Sequence, residues 1–474
     1  MAKLSAHPVS PPHRAPAREA TGHLALRAYA TFVLFSALAY SWWYNLLGVV
    51  GALALVAAAV LATLAIWIPS LARRRGPRAL AWRRLPWAAF AYVALAFVSV
   101  AWSAWPGSTI ATALVLAAFT LQGVFLADML TWGEIVRGLE VALRWVVALS
   151  ILFEAWVALI LDRPILPNFF PLDGEADPHW YWVRGNLFDA WLVGDRIQGI
   201  VGNSNLLGML MVVALIVFGV RLRVAFLGRL PVERIIMRAV WLLLAAWLLA
   251  RAGSATSLVA GAVVLAVLTI ALVMRWQTTP RGRTTVYATA SAATAGVVAI
   301  GLLAYDRVTA ALGRDGGLTG RDDIWQAVLD RAVQHPVIGN GFASPWVPTD
   351  PAFDGWIVDH GISVFEAHNM WLDAFFQLGA LGVAVVAAVY ASAVWRAWFF
   401  AVDRPRWDRH ASRRYSPLTL IPLLVLWALL VQGLTESNPI MLWGWMLVVL
   451  FSAKIKVTPA LSYPSRDAGI GAPA

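Results

Sequence analysis

Long apolar segments separated by short charged connections dominate the pattern of this chain. A membrane-spanning helix needs about 20 mostly apolar residues, because the hydrocarbon core of a bilayer is about 30 Å thick and a helix rises about 1.5 Å per residue. The sequence therefore predicts an all-α polytopic integral membrane protein with about 12 transmembrane helices. The predicted spans are 26–45, 47–69, 86–104, 109–127, 139–161, 203–220, 236–252, 254–274, 286–305, 368–395, 417–433 and 439–453.

The distribution of charge predicts how these helices are oriented. The connection 73–84 carries six arginines and no acid, and the connections after the sixth, eighth and tenth spans are also rich in arginine. With twelve spans, all of these connections fall on one side, which the positive-inside rule makes the cytoplasmic side. The longer loops 162–202 and 306–367 fall on the opposite side and hold fifteen of the 26 acidic residues.

This arrangement divides the chain into tails, bundles of helices and outer loops. Both termini are predicted to be cytoplasmic, and the N-terminal tail is expected to be disordered. The segments, in order, are a tail at 1–23, helices 1–5 in 24–161, an outer-face loop at 162–202, helices 6–9 in 203–305, a large outer-face loop at 306–367, helices 10–12 in 368–453, and a tail at 454–474.

Composition excludes several classes of protein. Sixty per cent of the residues are hydrophobic and only 13% are charged, which is too little polar surface for a soluble globule and too many apolar residues for a disordered chain. The net charge of +11 is explained by the cytoplasmic arginines, so no nucleic-acid partner is expected. The chain has no cysteine and therefore no disulfide and no thiol nucleophile.

The loop between spans nine and ten is long enough to suggest function. A helix is predicted to open at Thr319 or Gly320, with an apolar stripe that can rest on the membrane or on the spans, and to end at His335–Pro336. A glycine turn follows at 337–342, where the backbone can approach a neighbour closely. His368 then lies where the tenth span begins, and an imidazole there can bind phosphate as a cation or take a proton as a base.

These residues carry a family resemblance. Its motifs are Gly320–Arg321, Trp325, the sequence His-Pro-Val-Ile-Gly-Asn-Gly from His335, the sequence His-Asn-Met-Trp-Leu from His368, Gly379, the stretch 196–205, and the sequence Glu-Ser-Asn-Pro from Glu436. Their order and spacing resemble the O-antigen ligase and O-antigen polymerase superfamily over roughly residues 190–455.

The resemblance implies a metal-independent glycosyltransferase without a cofactor. Such proteins take a glycan from an undecaprenyl-diphosphate carrier at the outer face of the bacterial inner membrane. Ligases transfer it to a glycan or lipid acceptor, and polymerases transfer it to another carrier-linked glycan. The chain is accordingly expected to be an O-antigen ligase-like enzyme, with a polymerase of polysaccharide repeats as the first alternative. A non-enzymatic lipid-glycan transporter is the alternative from another class.

The resemblance and the chemistry of phosphate together nominate site residues. Guanidinium groups hold phosphate oxygens through two parallel hydrogen bonds and stay charged at every relevant pH. Catalytic roles are assigned to His368, Arg321 and Glu366, with His368 beside the attacking hydroxyl. The residues predicted to bind the diphosphate or substrate are Arg196, Arg251, Asn203, Asn205, Ser254 and Asn369.

Each assignment has a structural alternative. Arg321 can simply order its loop, Arg196 can anchor a helix at the interface, and His368 can cap a span. Arg251 stands three residues before Ser254, whereas the family often has Ser-Arg-Gly, so its contact with phosphate is open.

Metal ligands and sugar-stacking residues are not apparent. The nearest carboxylate pair, Asp322–Asp323, occupies adjacent helix positions that point in different directions, so no metal site is predicted. Trp180 and Trp182 are predicted to belong to an interfacial belt, with stacking on sugar rings as the alternative.

Overall fold

A computed structural model describes residues 21–74, 82–168, 177–189, 195–303, 321–403, 414–457 and 462–463. Outside these ranges lie most of the predicted tails and residues 306–320 of the large loop. The predicted helix start at Thr319 or Gly320 falls in that part of the loop. Helices dominate the described part. They are α1 Thr21–Leu38, α2 Tyr40–Arg73, α3 Trp87–Val98, α4 Pro106–Met129, α5 Trp132–Trp156, α6 Ser204–Leu227, α7 Val232–Ala252, α8 Ala255–Trp276, α9 Pro280–Leu303, α10 Arg321–Ala332, α11 Met370–Trp398, α12 Leu420–Gln432 and α13 Leu442–Val457.

Short elements complete the fold. The strands β1 Val358–Asp359 and β2 Ile362–Ser363 form an antiparallel hairpin, and β3 Arg414–Tyr415 pairs with β4 Ser462–Tyr463. One π-helical turn, Val157–Leu161, continues α5, and another, Phe399–Asp403, continues α11.

Every predicted span overlaps one of these helices. Within the described residues, seven helices are long and apolar enough to cross a membrane by length and composition alone, which confirms a multi-pass helical membrane protein. The count of twelve stays a prediction, because several segments are short. α3 with its 3-10 extension covers Trp87–Ala101, and α12 with the turn before it covers Pro417–Gln432.

Two glycines with positive φ reverse or bend the helical path. Gly48 interrupts α2 with φ 69°, and the Tyr29 hydroxyl on α1 donates to the Ala59 carbonyl beyond that break at 2.6 Å. The chain therefore turns back at Gly48, within the predicted connection around 45–48. Gly379 interrupts α11 with φ 62°, so the predicted continuous tenth span is instead two helical pieces joined at an angle.

The glycine turn after α10 docks on the kink of α11. Gly341 N–H donates to the Gln377 carbonyl at 2.9 Å, and Ala380 N–H donates to the Pro336 carbonyl at 2.8 Å. The kink leaves the Gln377 carbonyl and the Ala380 N–H without helical partners, and the turn supplies hydrogen-bond partners for both. A methyl group on Gly339 would lie 2.3 Å from the Gln377 carbonyl carbon, so only glycine permits the approach.

A small apolar core lies beneath α10. The buried face of the helix consists of Ile324, Val328 and Ala332, which belong to one cluster with Trp346 and Phe376. The predicted stripe therefore rests on the protein, and it is narrower than predicted because Leu329 and Val333 are 42% and 55% exposed. This core fixes α10 against the first part of α11.

The main core draws on helices from both halves of the chain. α13 packs along α4, α12 packs along α8, and α7 packs along α6. Lys454, which the sequence placed at the start of the tail, is buried within α13, and its Nζ donates to the Ala127 carbonyl at 3.1 Å and to the Leu130 carbonyl. The helix ends at Val457, and this ammonium group satisfies carbonyls at the end of α4.

A substitution at Gly339 should be far more damaging than one at Gly355. Both have positive φ, 69° and 66°, but a methyl group at Gly355 meets nothing within 4 Å. We expect Gly355→Ala to cost about 1 kcal/mol from backbone strain alone. Gly339→Ala should lower the thermal unfolding midpoint in detergent much further, because backbone atoms must move. Equal shifts for the two variants would contradict the close docking of the turn on α11.

Candidate functional site

Four ionisable side chains from three separated parts of the chain meet beside the start of α11. His368 Nδ1 lies 3.0 Å from Glu436 Oε2 and 3.2 Å from Glu366 Oε1. Arg321, the first residue of α10, donates from Nη2 to Glu436 Oε1 at 2.8 Å. This cluster of Arg321, Glu366, His368 and Glu436 is called the central cluster below.

The backbone around His368 is held by the next helix start. Asn369 caps α11, its side-chain oxygen accepting from the N–H groups of Trp371 and Leu372, and His368 before it has φ 50°. Met370 N–H donates to the Gly433 carbonyl at 2.9 Å. A positive φ at a residue other than glycine costs about 1–2 kcal/mol, so the cap and this hydrogen bond hold a strained backbone in place.

Asp373 connects the two backbone segments that carry the carboxylates. Its Oδ2 accepts from Ala367 N–H at 3.2 Å and from the Ser437 hydroxyl, while Oδ1 accepts from Trp346 Nε1 at 3.0 Å. Ala367 lies between Glu366 and His368, and Ser437 follows Glu436. The fully buried Asp373 therefore sets the relative position of the groups that make the cluster.

A second arginine reaches the cluster through an asparagine. Asn205 Nδ2 donates to Glu436 Oε1 at 3.2 Å, and Asn205 Oδ1 accepts from Arg196 Nη2 at 2.6 Å. Arg196 Nε also donates to the Ala252 carbonyl at 3.0 Å. The structure thus joins Arg196 and Asn205, both nominated from the sequence, to the central cluster by way of Glu436.

The charges in the cluster are strongly coupled. Burial by itself lowers the pKa of His368, but the charge of Glu436 and hydrogen bonds with Glu366 and Glu436 outweigh it and raise the pKa to about 10. Burial raises the pKa of Glu366. Burial also acts to raise the pKa of Glu436, but His368 and Arg321 overcome this effect and lower it. His368 is therefore an imidazolium at neutral pH, which favours its role as a cation over its role as a base.

Arg321 keeps one unused donor. Its side chain is 10% exposed, and Nη1 is buried without a hydrogen-bond partner in the part of the chain that the structure describes. Buried donors are nearly always paired. An unpaired guanidinium N–H beside a cationic imidazole is suited to donate a hydrogen bond to an anionic oxygen.

Three nominated residues serve as helix caps. Asn203 caps α6, Ser254 caps α8 and Asn369 caps α11, each accepting backbone N–H groups of the first turn. Such caps contribute about 1 kcal/mol each to stability. Capping explains why these residue types occur at these positions, and a binding role for them stays a prediction.

The side-chain hydrogen bonds of Arg251 within the described residues do not reach the central cluster. Arg251 is 2% exposed, and its Nη2 donates to the Asn186 and Leu187 carbonyls at 2.9 and 3.3 Å. Glu154, another buried charged residue, accepts from Gln198 and Gly199 N–H groups at 3.0 and 2.7 Å. Arg251 binds the segment 177–189 to the helices and Glu154 binds the segment 195–202, while Arg251 Nε and Nη1 are buried without a partner among the described residues.

The structure brings together carboxylates that the sequence separates. Ligand atoms of Glu366, His368 and Glu436 lie within 4.8 Å of one another, a spacing that the sequence-based expectation of no carboxylate cluster did not foresee. A cation there would compete with Arg321 and Asn205, which both donate to Glu436 Oε1. Asp322 and Asp323 are exposed on α10, and within the described residues neither belongs to a cluster of three possible metal ligands.

Glu436 is the residue that sequence reasoning did not nominate. It appeared only inside the family-like stretch 436–439, 68 residues beyond its partner His368. The available signal was an acid between two apolar segments. Trp182 also differs from the expectation, because it is buried and its Nε1 donates to the Ile200 carbonyl at 2.9 Å, so its ring packs inside the protein.

Comparison with known proteins supports the resemblance. Residues 239–387 match the family described as O-Antigen ligase. The Exopolysaccharide production protein ExoQ of Rhizobium meliloti is 29% identical over 160 residues, covering 32% of this chain and 36% of that protein. The O-antigen ligase of Pseudomonas aeruginosa is 27% identical over 122 residues, covering 26% of this chain and 25% of that protein.

These matches confirm the predicted resemblance to the O-antigen ligase superfamily. They span about a third and a quarter of the lengths of the two relatives. The matched family segment contains Arg321, Glu366 and His368 of the central cluster, whereas Glu436 and Arg196 lie outside it.

The stability conferred by His368 should depend on pH. Folding raises the pKa of His368 from 6.5 to about 10, so its contribution is complete below about pH 6.5 and is lost as pH rises through about 10. The difference in thermal unfolding midpoint between the unaltered protein and His368→Gln should shrink over this window.

His335→Gln is the matched control for that measurement. His335 is exposed after the end of α10 and belongs to no ion pair among the described residues. Its effect on the midpoint should not follow the same pH course. A difference for His368→Gln that stays constant from about pH 6.5 to about pH 10 would contradict the raised pKa.

Proposed function

We propose that this chain is a membrane glycosyltransferase that transfers a glycan from an undecaprenyl-diphosphate carrier to an acceptor hydroxyl. The observation that carries the proposal is the central cluster, in which a buried guanidinium with an unpaired nitrogen lies beside a cationic imidazole. The superfamily match over 239–387 and the multi-pass helical fold support it. We place the reaction at the outer face of the bacterial inner membrane, because the cluster is formed by loops predicted to lie on the side opposite the arginine-rich connections.

The leaving group requires cations. When the bond between the anomeric carbon and the phosphate oxygen breaks, the electron pair goes to the diphosphate. Arg321 and imidazolium His368 are fixed in advance where this charge develops, and preorganised donors of this kind stabilise transition states most effectively in sites from which water is excluded. Arg196 supplies a second guanidinium, which is linked through Asn205 to the same Glu436 oxygen that Arg321 contacts.

The acceptor hydroxyl requires a base. His368, for which the sequence suggested this role, already carries a proton at neutral pH. We assign this role to Glu366, because Glu436 accepts from two side-chain donors, Arg321 and Asn205, whereas Glu366 faces His368 and the Ser437 N–H. The hydroxyl oxygen bonds to the anomeric carbon, and its proton passes to Glu366. The raised pKa of Glu366 makes it a stronger base than an exposed glutamate.

The relative with the longer match favours a second candidate. ExoQ is named as an exopolysaccharide production protein, so this chain is also a candidate polymerase that extends carrier-linked repeats. The chemistry at the anomeric carbon is the same in both cases, and only the acceptor differs.

Purified protein with a labelled glycan on undecaprenyl diphosphate tests both candidates. The proposal expects undecaprenyl diphosphate to be released together with glycan transfer. A ladder of carrier-linked products indicates a polymerase, and one transfer to an added lipid acceptor indicates a ligase. Movement of the donor across the bilayer without bond cleavage would overturn the proposal in favour of a transporter.

Arg321→Lys should lower the rate of transfer by about 10²-fold, because lysine keeps the charge and loses the planar fork. Arg281→Lys is the matched control, since Arg281 is exposed in the first turn of α9 and lies far along the chain from the cluster. The measurement is donor consumption under single-turnover conditions. Full activity in Arg321→Lys, with binding unchanged, would exclude bidentate recognition of phosphate by this arginine.

A further inference from the structure

Two outer segments meet through their histidines, away from the central cluster. The rings of His179 and His360 stack with centroids 4.3 Å apart and planes 8° from parallel. Trp180 Nε1 donates to the His360 carbonyl at 2.9 Å. These residues are about 180 positions apart in sequence, so side-chain contacts hold together two different loops.

The histidines are accompanied by carboxylates at metal-ligand spacing. One ligand atom each from His179, Asp359 and His360 lies within 4.8 Å of the others. His360 Nε2 is 3.8 Å from Asp359 Oδ1, and His360 Nδ1 is 2.9 Å from Asp177 Oδ2. Asp177 therefore holds Nδ1 and leaves Nε2 for another partner, as carboxylates do for metal-bound histidines.

The local backbone builds this arrangement. Asp359 and His360 lie at the turn of the β1–β2 hairpin, where Asp359 pairs with Ile362 and His360 has φ 47°. Asp177 Oδ1 accepts from His179 N–H at 2.7 Å. One aspartate thus orients both histidines, and a non-glycine residue in a left-handed conformation is kept at the tip of the turn. Strain of this kind often accompanies functional sites.

We propose that His179, His360 and Asp359 bind a divalent transition-metal ion of the Zn²⁺ class, with Asp177 orienting His360. Two imidazole nitrogens and one carboxylate oxygen form a ligand set that Zn²⁺ accepts, with water in the fourth position. Because stacked rings cannot both direct a nitrogen lone pair at one ion, binding requires the exposed His179 ring to turn out of the stack while Asp177 holds His360. The two aspartates balance the charge of the ion.

The alternative cluster of Glu366, His368 and Glu436 is less suited to a cation. Its Glu436 already accepts from Arg321, and a guanidinium repels a metal ion. The charge of Arg184 also acts on His179, but no arginine forms a hydrogen bond or an ion pair with His179, Asp359 or His360 within the described residues.

Metal binding would fasten the outer loops beside the central cluster. The ring of Trp180 contacts Phe365 edge-on, with centroids 6.3 Å apart, and Phe365 directly precedes Glu366. An ion on His179 and His360 would therefore hold the hairpin and the segment that leads into the central cluster. This inference stands independently of the proposed function.

Binding of Co²⁺ to the full-length protein in detergent, after treatment with a chelator, tests the site. We expect one Co²⁺ per chain, with the visible absorption of a tetrahedral nitrogen–oxygen site, displaced by Zn²⁺. His179→Gln and His360→Gln should abolish the spectrum. Asp177→Asn should weaken the affinity by about 10–100-fold, because it removes only the orienting carboxylate.

Two controls separate this site from its alternatives. His368→Gln should bind Co²⁺ as the unaltered protein does, and His335→Gln should behave the same way. The thermal unfolding midpoint without metal shows whether each variant is folded. Unchanged Co²⁺ binding in folded His179→Gln and His360→Gln, absence of binding by the unaltered protein, or loss of binding in His368→Gln would overturn the proposal.

Discussion

The Glu436 carboxylate is the interaction on which the candidate site depends. One of its oxygens accepts from Arg321 and Asn205, and the other faces His368. A buried carboxylate needs such partners, because an unpaired buried charge is costly. In turn, Glu436 maintains the cationic state of His368 and the direction of the Arg321 fork. Three segments that are distant in sequence are thereby held around one anion.

Close backbone contact supplies the second requirement, which is rigidity. The turn after α10 fits into the kink of α11 only because Gly339 and Gly379 both lack a side chain. The apolar core beneath α10 then fixes Arg321, while Asp373 holds the backbone beside Glu366, His368 and Glu436. These supports hold Arg321 and His368 in their contacts with Glu436, so the proposed diphosphate site is formed in advance.

The structure leaves the residues proposed for catalysis the same but changes the role proposed for one of them. His368, Arg321 and Glu366 were nominated from the sequence, and the structure places them in one cluster. The two neighbouring carboxylates raise the pKa of His368, so the proton-accepting role passes to Glu366 in the proposed mechanism. Arg251 was nominated because a charge at membrane depth is costly; its Nη2 contacts two backbone carbonyls, whereas Nε and Nη1 are buried without a partner among the described residues.

The sequence by itself determined the multi-pass helical membrane class, the approximate positions of the apolar helices and the superfamily resemblance. These follow from local properties, namely the length of apolar runs, proline and glycine positions, and ordered motifs. Only the tertiary structure decided that Glu436 joins the site, that Gly379 bends α11, and that His179 meets His360. Each of these depends on contacts between residues far apart in the chain, and neither hydrophobic periodicity nor local propensity carries information about such pairings.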